Sequence, residues 1–286
     1  MKTLGLNLRQ LQVFVKVVEL GSVSRAAEAL GSSQPQVSRT VADIERKLDT
    51  KVFFRTPEGL ELTPTGRVLY RFAQQTLSLL YETEVSLDEQ VDVPACPLFV
   101  GVNAAVMSYA MAGARAFHEE YPTLPIHVEV ASGHALFEMV QRQQVALGLV
   151  VGSSLLFPRD VQNFFLGEQE WGLLVPEGQQ ERSLEELDLI LPPEESWEWH
   201  VLEERIPLPQ PRIQVSARDV RAACALAQEG FAAYLPLHCS RVGLVPHAQQ
   251  PRFSLEVHAV RPPGGRYPVS ARAYMRLLSG LDLSRY

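Results

Sequence analysis

The sequence predicts several domains: a small, mostly helical N-terminal domain, a long connecting helix, and a larger α/β domain. Three observations support this division. Residues 1–50 contain three short apolar patterns of helical period, separated by turn residues. An apolar stripe then continues over about 64–90 with few breaks. Beyond residue 97, strand-like apolar segments alternate with amphipathic helices, which is the order of α/β domains.

Length and composition are those of an ordinary globular protein. The chain has 286 residues, of which 46% are hydrophobic and 21% charged, and this length suits two or three compact units. The three cysteines, Cys96, Cys224 and Cys239, are few and widely spaced. Neither a signal peptide nor an apolar run of membrane-spanning length is visible. We therefore expect a cytoplasmic protein with no membrane partner.

The net charge of −7 is unevenly distributed along the chain. Residues 1–72 carry 11 basic and 7 acidic side chains, a net charge of +4, whereas the remainder carries −11. A basic N-terminal part on an acidic body favours an anionic partner for the N-terminal part.

Three helices are predicted in the first 50 residues. Apolar positions recur at helical spacing over 8–20, and Asn7 can cap this helix. Ser22 caps a second helix with small alanines on its inner face. Ser33 caps a third helix, and Pro35 lies in its first turn, where a proline costs no hydrogen bond.

Two strands, Val52–Arg55 and Leu60–Thr63, follow the third helix and flank a turn. Three short helices and a hairpin form a winged helix-turn-helix, whose third helix enters the major groove of DNA. Serine and glutamine on that helix can contact base edges or phosphate, and arginine can bind guanine with two hydrogen bonds.

A helix over 64–90 has more apolar surface than the small N-terminal domain can cover. Its apolar stripe therefore favours pairing with a second copy of the chain. The residues predicted to make this dimer contact are Leu69, Phe72, Ala73, Leu77 and Leu80.

Alternating elements continue to the C-terminus and predict mostly parallel sheets. Strands are predicted at 98–103, 126–131, 146–151, 161–166, 171–175, 212–216, 231–235 and 253–260. Helices are predicted at 104–120, 134–144, 183–188, 218–228 and 270–281. The proline-rich stretch 192–211, which contains Trp197 and Trp199, shows no assignable period.

The segments "SRAAEALGSSQPQVSRTVADIE" and "FFRT…LELTPTG" resemble the DNA-binding domain of LysR-type transcriptional regulators. The resemblance covers about 7–90 closely and 95–286 more loosely. It implies a DNA-binding domain at 1–64, a linker helix at 65–93 and a regulatory domain at 94–286. The DNA-contacting residues that it implies are Ser32, Ser33, Gln34, Pro35, Ser38, Arg39, Thr40 and Arg55.

The resemblance further implies that the regulatory domain is similar to periplasmic binding proteins, with an unidentified small-molecule effector held between two α/β subdomains. Subdomain I would comprise about 95–157 and 261–286, and subdomain II about 158–260. The effector-binding residues would lie in three loops: Asn103, Ala104 and Ala105; Ser132, Gly133 and His134; and Ser216, Ala217 and Arg218. A homodimer or tetramer, double-stranded DNA and RNA polymerase would be its partners.

The first of these loops departs from the family, because it has Asn103 and two alanines where the family often carries a serine or threonine. Either the effector is less anionic than usual, or Asn103, Ser132 and Ser216 make the polar contacts. Strand-end capping explains each loop residue as well as ligand contact does.

Two alternatives remain from the sequence. The regulator could sense oxidants through Cys224 and Cys239, although both are expected to be buried. The chain could also be a ligand-binding protein with no independent enzymatic activity. We expect no enzyme, cofactor or metal site, because no nucleophile elbow, phosphate loop or metal-ligand spacing is present.

Overall fold

A computed structural model gives the structure of two compact units, Met1–Leu87 and Asp88–Tyr286. The described residues are 5–56, 59–70, 72–73, 76–77, 80, 97–206, 215–262 and 268–286. The finer domain and subdomain boundaries implied by the sequence stay predictions.

Three helices form the start of the N-terminal unit, as the sequence predicts: α1 is Leu8–Leu20, α2 is Val23–Ala29 and α3 is Gln34–Leu48. A capping box begins α1. The Asn7 side chain accepts a hydrogen bond from the backbone N–H of Gln10, and the Gln10 side chain accepts one from the backbone N–H of Asn7. This reciprocal pair satisfies two helix-start donors and confirms the predicted cap.

A hairpin follows α3. Strand β1 is Phe53–Thr56 and β2 is Gly59–Leu62, and the two pair antiparallel, within one residue of the predicted strands. The core of this unit joins the inner faces of the three helices to the hairpin. Phe14 and Ile44 are fully buried at its centre, so the hairpin and α3 are held on one common core.

Helix α4 begins after the hairpin and is helical at 64–70, 72–73, 76–77 and 80; the rest of the predicted helix 64–90 lies outside the described residues. Two of its predicted dimer residues, Leu69 and Ala73, are buried in the unit's own core, and Leu77 packs partly against it. Leu69 and Ala73 therefore contribute to the core of the unit, and the dimer contact stays a prediction. Phe72 is 42% exposed, and Leu80 is half-buried.

The C-terminal unit contains one nine-stranded sheet with the strand order β4-β3-β5-β11-β6-β9-β7-β8, and β10 pairs with β6. Its strands are β3 Leu98–Val102, β4 Ile126–Val130, β5 Leu147–Val151, β6 Gln162–Pro176, β7 Leu189–Leu191, β8 Val215–Ser216, β9 Ala232–Pro236, β10 Leu244–Pro246 and β11 Phe253–Arg261.

Two long strands at the middle of the sheet, β6 and β11, run antiparallel and connect two parallel groups. The sheet is therefore mixed, whereas the sequence predicts mostly parallel sheets. The difference arises because β6 and β11, the two crossover strands, pair antiparallel with each of their neighbours. The strands predicted at 161–166 and 171–175 are one strand. The polar residues between them keep their ladder pairing with β11.

Five described α-helices belong to this unit: α5 Met107–Glu120, α6 Gly133–Gln141, α7 Trp197–Glu203, α8 Val220–Gln228 and α9 Val269–Ser279. All but α7 lie close to their predicted positions. The helix predicted at 183–188 is a single 3-10 turn. Helix α7 and strands β7 and β10 are elements that the sequence patterns do not predict, and α7 lies within the unassigned stretch 192–211.

Candidate functional site

The outer face of α3 is polar and open to solvent. Gln34, Pro35, Ser38 and Arg39 are exposed, whereas Val37 and Ile44 on the opposite face are buried. Within the described part of the chain, the Arg39 side chain has no hydrogen-bond or ion-pair partner. The face therefore presents amide, hydroxyl and guanidinium groups that remain available to an external anion or hydrogen-bonding surface.

The start of α3 differs from the predicted cap. Ser33 occupies the N-cap position, but its side chain makes no capping hydrogen bond. The Ser32 hydroxyl instead donates to the Gln36 side-chain oxygen at 3.0 Å, and the Thr40 hydroxyl donates to the Gln36 carbonyl at 3.0 Å. Ser32 and Thr40 are thus engaged locally, which leaves Ser33 as the serine with an unused hydroxyl at this helix start.

Arg55 belongs to β1, but its side chain lies outside the described part of the structure. Its predicted phosphate contact, like the other predicted DNA contacts, stays a prediction.

A polar network fixes the orientation of α3 relative to α1. The Gln10 side-chain amide donates to the Asp43 carboxylate at 3.2 Å, and the Lys47 ammonium donates to the Gln10 side-chain oxygen at 2.9 Å. The hydrogen bond from Arg46 lowers the pKa of the Asp43 carboxyl, with help from the charges of Arg46 and Lys47. Asp43 therefore stays ionised and keeps these contacts at neutral pH.

The first predicted effector loop is closed to solvent. Asn103 is 1% exposed, and Ala104 and Ala105 are also buried. The Asn103 side-chain oxygen accepts a hydrogen bond from the Ala105 backbone N–H at 3.0 Å, and its side-chain amide donates to Glu198 at 3.1 Å. Both polar atoms of Asn103 are thus engaged inside the protein.

The second predicted loop is covered by Trp197, the first residue of α7. A Cβ atom built on Gly133 would lie 2.2 Å from the Trp197 ring, and one on Gly152 would lie 2.9 Å from it. The indole N–H donates to the Val151 carbonyl at 2.8 Å. Gly133 therefore lets the indole rest on the start of α6, while Ser132 and His134 beside it remain exposed.

Glu198 follows Trp197 and directs its carboxylate inward. The residue is 9% exposed, Oε1 accepts from Asn103, and Oε2 is buried without a hydrogen-bond partner. Burial raises the pKa of the Glu198 carboxyl, and the nearby charge of Asp219 adds to this increase, whereas the Asn103 hydrogen bond opposes it. The carboxyl thus keeps an unused acceptor in a buried position.

The third predicted loop leads into α8. Ser216 and Arg218 are exposed, and Ala217 is buried. Asp219 caps α8, since one carboxylate oxygen accepts from the backbone N–H groups of Arg221 and Ala222, each at 2.9 Å. Ala217 and Asp219 line a cavity together with Glu198, so the structure brings this loop and α7 to one place.

Strand β6 connects the first loop with the chain end. The Gln169 side-chain amide donates to the Ala105 carbonyl at 3.1 Å and to the Tyr286 carbonyl at 3.4 Å. The Trp171 indole N–H donates in turn to the Gln169 side-chain oxygen at 3.1 Å. These hydrogen bonds connect the first predicted effector loop, at Ala105, to strand β6.

A buried acid–base pair lies on the second crossover strand. His258 is fully buried, and one ring nitrogen lies 3.0 Å from the Glu256 carboxylate. Burial raises the pKa of Glu256, but the hydrogen bond and charge of His258, together with the charge of Arg205, outweigh it and leave the pKa lowered. The pair sits next to a bulge between Val257 and His258.

Cys224 and Cys239, the cysteines of this unit that belong to the described residues, lie against each other and are half-buried, not fully buried as the sequence suggested. A hydrogen bond between the thiols lowers the pKa of Cys224 and raises the pKa of Cys239, to which burial also contributes.

Sequence patterns missed Trp197, Glu198 and Gln169 as residues of this region. One local signal was available for α7: Ser196 precedes the helix, and its hydroxyl accepts from the Trp199 backbone N–H at 3.1 Å. Ser196 is thus an N-cap of the kind that predicts a helix start. In the described ranges, no group of three or more His, Cys, Asp or Glu side chains could hold a metal ion. None of the described helices has the length and apolar character of a membrane span.

Comparison with known families identifies both units. The model of the bacterial regulatory helix-turn-helix protein, lysR family, matches residues 8–67. The model of the LysR substrate binding domain matches residues 95–281, which is more than half of the chain. These matches confirm the family and the fold class that the sequence predicts.

Individual relatives and solved structures agree. A "Probable RuBisCO transcriptional regulator" of Emiliania huxleyi is 32% identical over 182 residues, covering 62% of this chain and 57% of that protein. The chain spans less than two thirds of the length of the curated relatives it matches.

Among solved structures, the LysR-type regulator CrgA from Neisseria meningitidis matches with a TM-score of 0.66 and 22% identity, over 96% of this chain and 98% of that one. Full-length CbnR in complex with its target DNA matches with a TM-score of 0.50 and 20% identity, over 96% of this chain and all of that one. At these identities the likeness establishes the fold. The chain belongs to the LysR family.

Proposed function

We propose that this protein is a sequence-specific DNA-binding transcriptional regulator whose α/β unit responds to a small-molecule effector. The observation that carries the proposal is the outer face of α3. Gln34, Pro35, Ser38 and Arg39 are all exposed on a helix whose other face is buried. This arrangement suits a recognition helix, because short polar groups and a forked cation can reach base edges in the major groove.

Within this proposal, the roles divide by position. Arg39, Ser38 and Gln34 contact bases or phosphates, while the network of Gln10, Asp43 and Lys47 holds α3 at the angle that presents them. The chain acts without enzymatic activity and needs no bound cofactor besides its effector. It works in the cytoplasm and contacts RNA polymerase when bound at a promoter.

A direct test is a fluorescence-anisotropy titration of the full chain with DNA from the region upstream of its own gene. R39A is expected to weaken specific binding by about 1–3 kcal/mol if Arg39 reads a base. R115A is the matched control, because Arg115 is also an exposed arginine on a helix but lies in the other unit. Equal affinity of wild type and R39A would remove Arg39 from the interface.

Self-association is the second part of the proposal. Val68 and Phe72 lie one turn apart on α4 and are 69% and 42% exposed, which suits an apolar contact between two copies. F72S is expected to shift the assembly towards monomer in light scattering after size exclusion. F99S, which changes an exposed phenylalanine of the other unit, should keep the wild-type mass. An unchanged mass for F72S would contradict the α4 contact.

A further inference from the structure

We propose that the cavity between α7 and the start of α8 binds the ammonium group of a small primary amine, with Glu198 as the recognising residue. The inference rests on the proposed function, because it assigns a chemical class to the effector of the α/β unit. It follows the first of the two alternatives that the sequence left open, an effector less anionic than is usual in the family.

The cavity has acidic and apolar walls. Glu198 and Asp219 are its charged residues, and among the described residues no lysine or arginine lines it. Trp171, Leu202 and Tyr234 contribute to the apolar wall. An anionic ligand in this cavity would face the Glu198 carboxylate, and of the two acidic residues only Asp219 has a guanidinium nearby, that of Arg221. Such an arrangement disfavours an anion beside Glu198.

The two carboxylates differ in how many of their oxygen atoms already have a hydrogen-bond or ion-pair partner. The Asp219 carboxylate already accepts two backbone hydrogen bonds at the start of α8, and its other oxygen lies 3.6 Å from Arg221. The Glu198 Oε1 accepts from the Asn103 side-chain amide, whereas its Oε2 is buried with no hydrogen-bond partner. A buried acceptor without a donor is costly, so a donor that reaches Oε2 gains a charge-assisted hydrogen bond.

Size and shape suit a small cationic head group. The cavity holds about 30 Å³, which is enough for a water molecule or an ammonium group. Trp171 and Tyr234 also line the cavity, and aromatic rings attract cations that lie over their faces. A short alkyl chain attached to the ammonium can then pack on Leu202 and the neighbouring apolar side chains.

The experiment compares three ligands of one length, n-butylamine, n-butanol and sodium butyrate, on the full chain at constant ionic strength. Binding is followed by tryptophan emission and by the shift of the melting temperature, since Trp171 lines the cavity. Butylamine is expected to saturate at a concentration at least tenfold lower than butanol or butyrate. Equal or tighter binding of butanol or butyrate would overturn the proposal, as would no binding of butylamine.

A variant localises the effect. E198Q keeps the shape of the side chain and removes its charge, and it is expected to weaken butylamine binding at least tenfold. E229Q makes the same change at an exposed position of α8's C-cap and should leave binding unchanged. Unchanged affinity of E198Q would also overturn the proposal, while the comparison of the three ligands on wild type stands even if E198Q is unstable.

DNA binding is measured on the same samples. A chain that binds DNA specifically but not butylamine contradicts this inference and leaves the proposed regulator intact. A chain that binds butylamine at Glu198 but no DNA supports this site and contradicts the DNA-binding proposal.

Discussion

The Asn103 side-chain amide donates a hydrogen bond of 3.1 Å to the Glu198 carboxylate, and both residues are buried. They are 95 residues apart in the chain. Their contact connects the loop after β3 to α7, so the first predicted effector loop is satisfied from within the protein. The same contact uses Oε1 of Glu198, while Oε2 is buried without a hydrogen-bond partner.

Removing the Asn103 amide should therefore be costly. N103A leaves the Glu198 carboxylate buried without its donor, and we expect a loss of about 1–3 kcal/mol in the free energy of unfolding. Because Asn103 also caps the turn at Ala105, the pair is tested by a double-mutant cycle in urea. N103A should cost at least about 0.5 kcal/mol less in an E198A background; equal costs in both backgrounds would show that the pair is uncoupled.

The stability of the protein should depend on pH through Glu198. Burial raises its pKa above the ordinary value of 4.5, so the folded state favours the protonated form. The stability linked to this group is fully present below about pH 4.5 and is lost as pH rises through the raised pKa. E198Q has no carboxyl group to titrate at this position and therefore does not lose this stability. The free energy of unfolding of E198Q relative to wild type, measured in urea, should increase from about pH 4.5 towards neutrality. A difference that stays constant with pH would show that Glu198 is not perturbed.

Gly133 should tolerate no side chain. A Cβ there would lie 2.2 Å from the Trp197 ring, so G133A must displace the indole, and we expect a cost of about 1–3 kcal/mol with a change in tryptophan emission. G280A is the control, because its Cβ would meet its nearest neighbour at 3.5 Å. That variant should stay within about 0.5 kcal/mol of wild type. Wild-type stability and emission in G133A would contradict the packing of Trp197 on α6.

The thiol pair should show unequal reactivity. The hydrogen bond between the thiols lowers the pKa of Cys224 and raises that of Cys239, so at pH 8 iodoacetamide should alkylate Cys224 first. C239A removes the hydrogen bond and should slow the alkylation of Cys224. Peptide mass spectrometry measures both rates, and faster labelling of Cys239 would reverse the assignment. A reporter that responds normally to oxidant in C224S and C239S strains would exclude the redox alternative.

The first three helices and the hairpin of the N-terminal unit could be predicted almost residue by residue, because their signals are local. The Asn7–Gln10 capping box lies within four residues, and the period of 3.6 marks the buried face of each helix. Ser33 occupies the predicted N-cap position of α3 but makes no capping hydrogen bond, and no pattern of residue types shows whether a serine at that position uses its hydroxyl.

The centre of the α/β unit could not be predicted in the same way. Strand β6 reads as two strands because Glu168 and Glu170 interrupt its apolar run, and only its pairing with β11 shows it to be continuous. Helix α7 lies in a proline-rich stretch, and its buried face is defined by Gly133, Gly152 and Asn103, which are distant in sequence. Contacts of such separation leave no periodic signal.

The central claim is that the exposed face of α3 reads DNA sequence. Selection of bound duplexes from a random library with the full chain measures this directly. We expect wild type to enrich two related half-sites, and R39A to bind with relaxed preference at one position of each half-site. Enrichment of no sequence by wild type, or the same preferred sequence from both proteins, would contradict the claim.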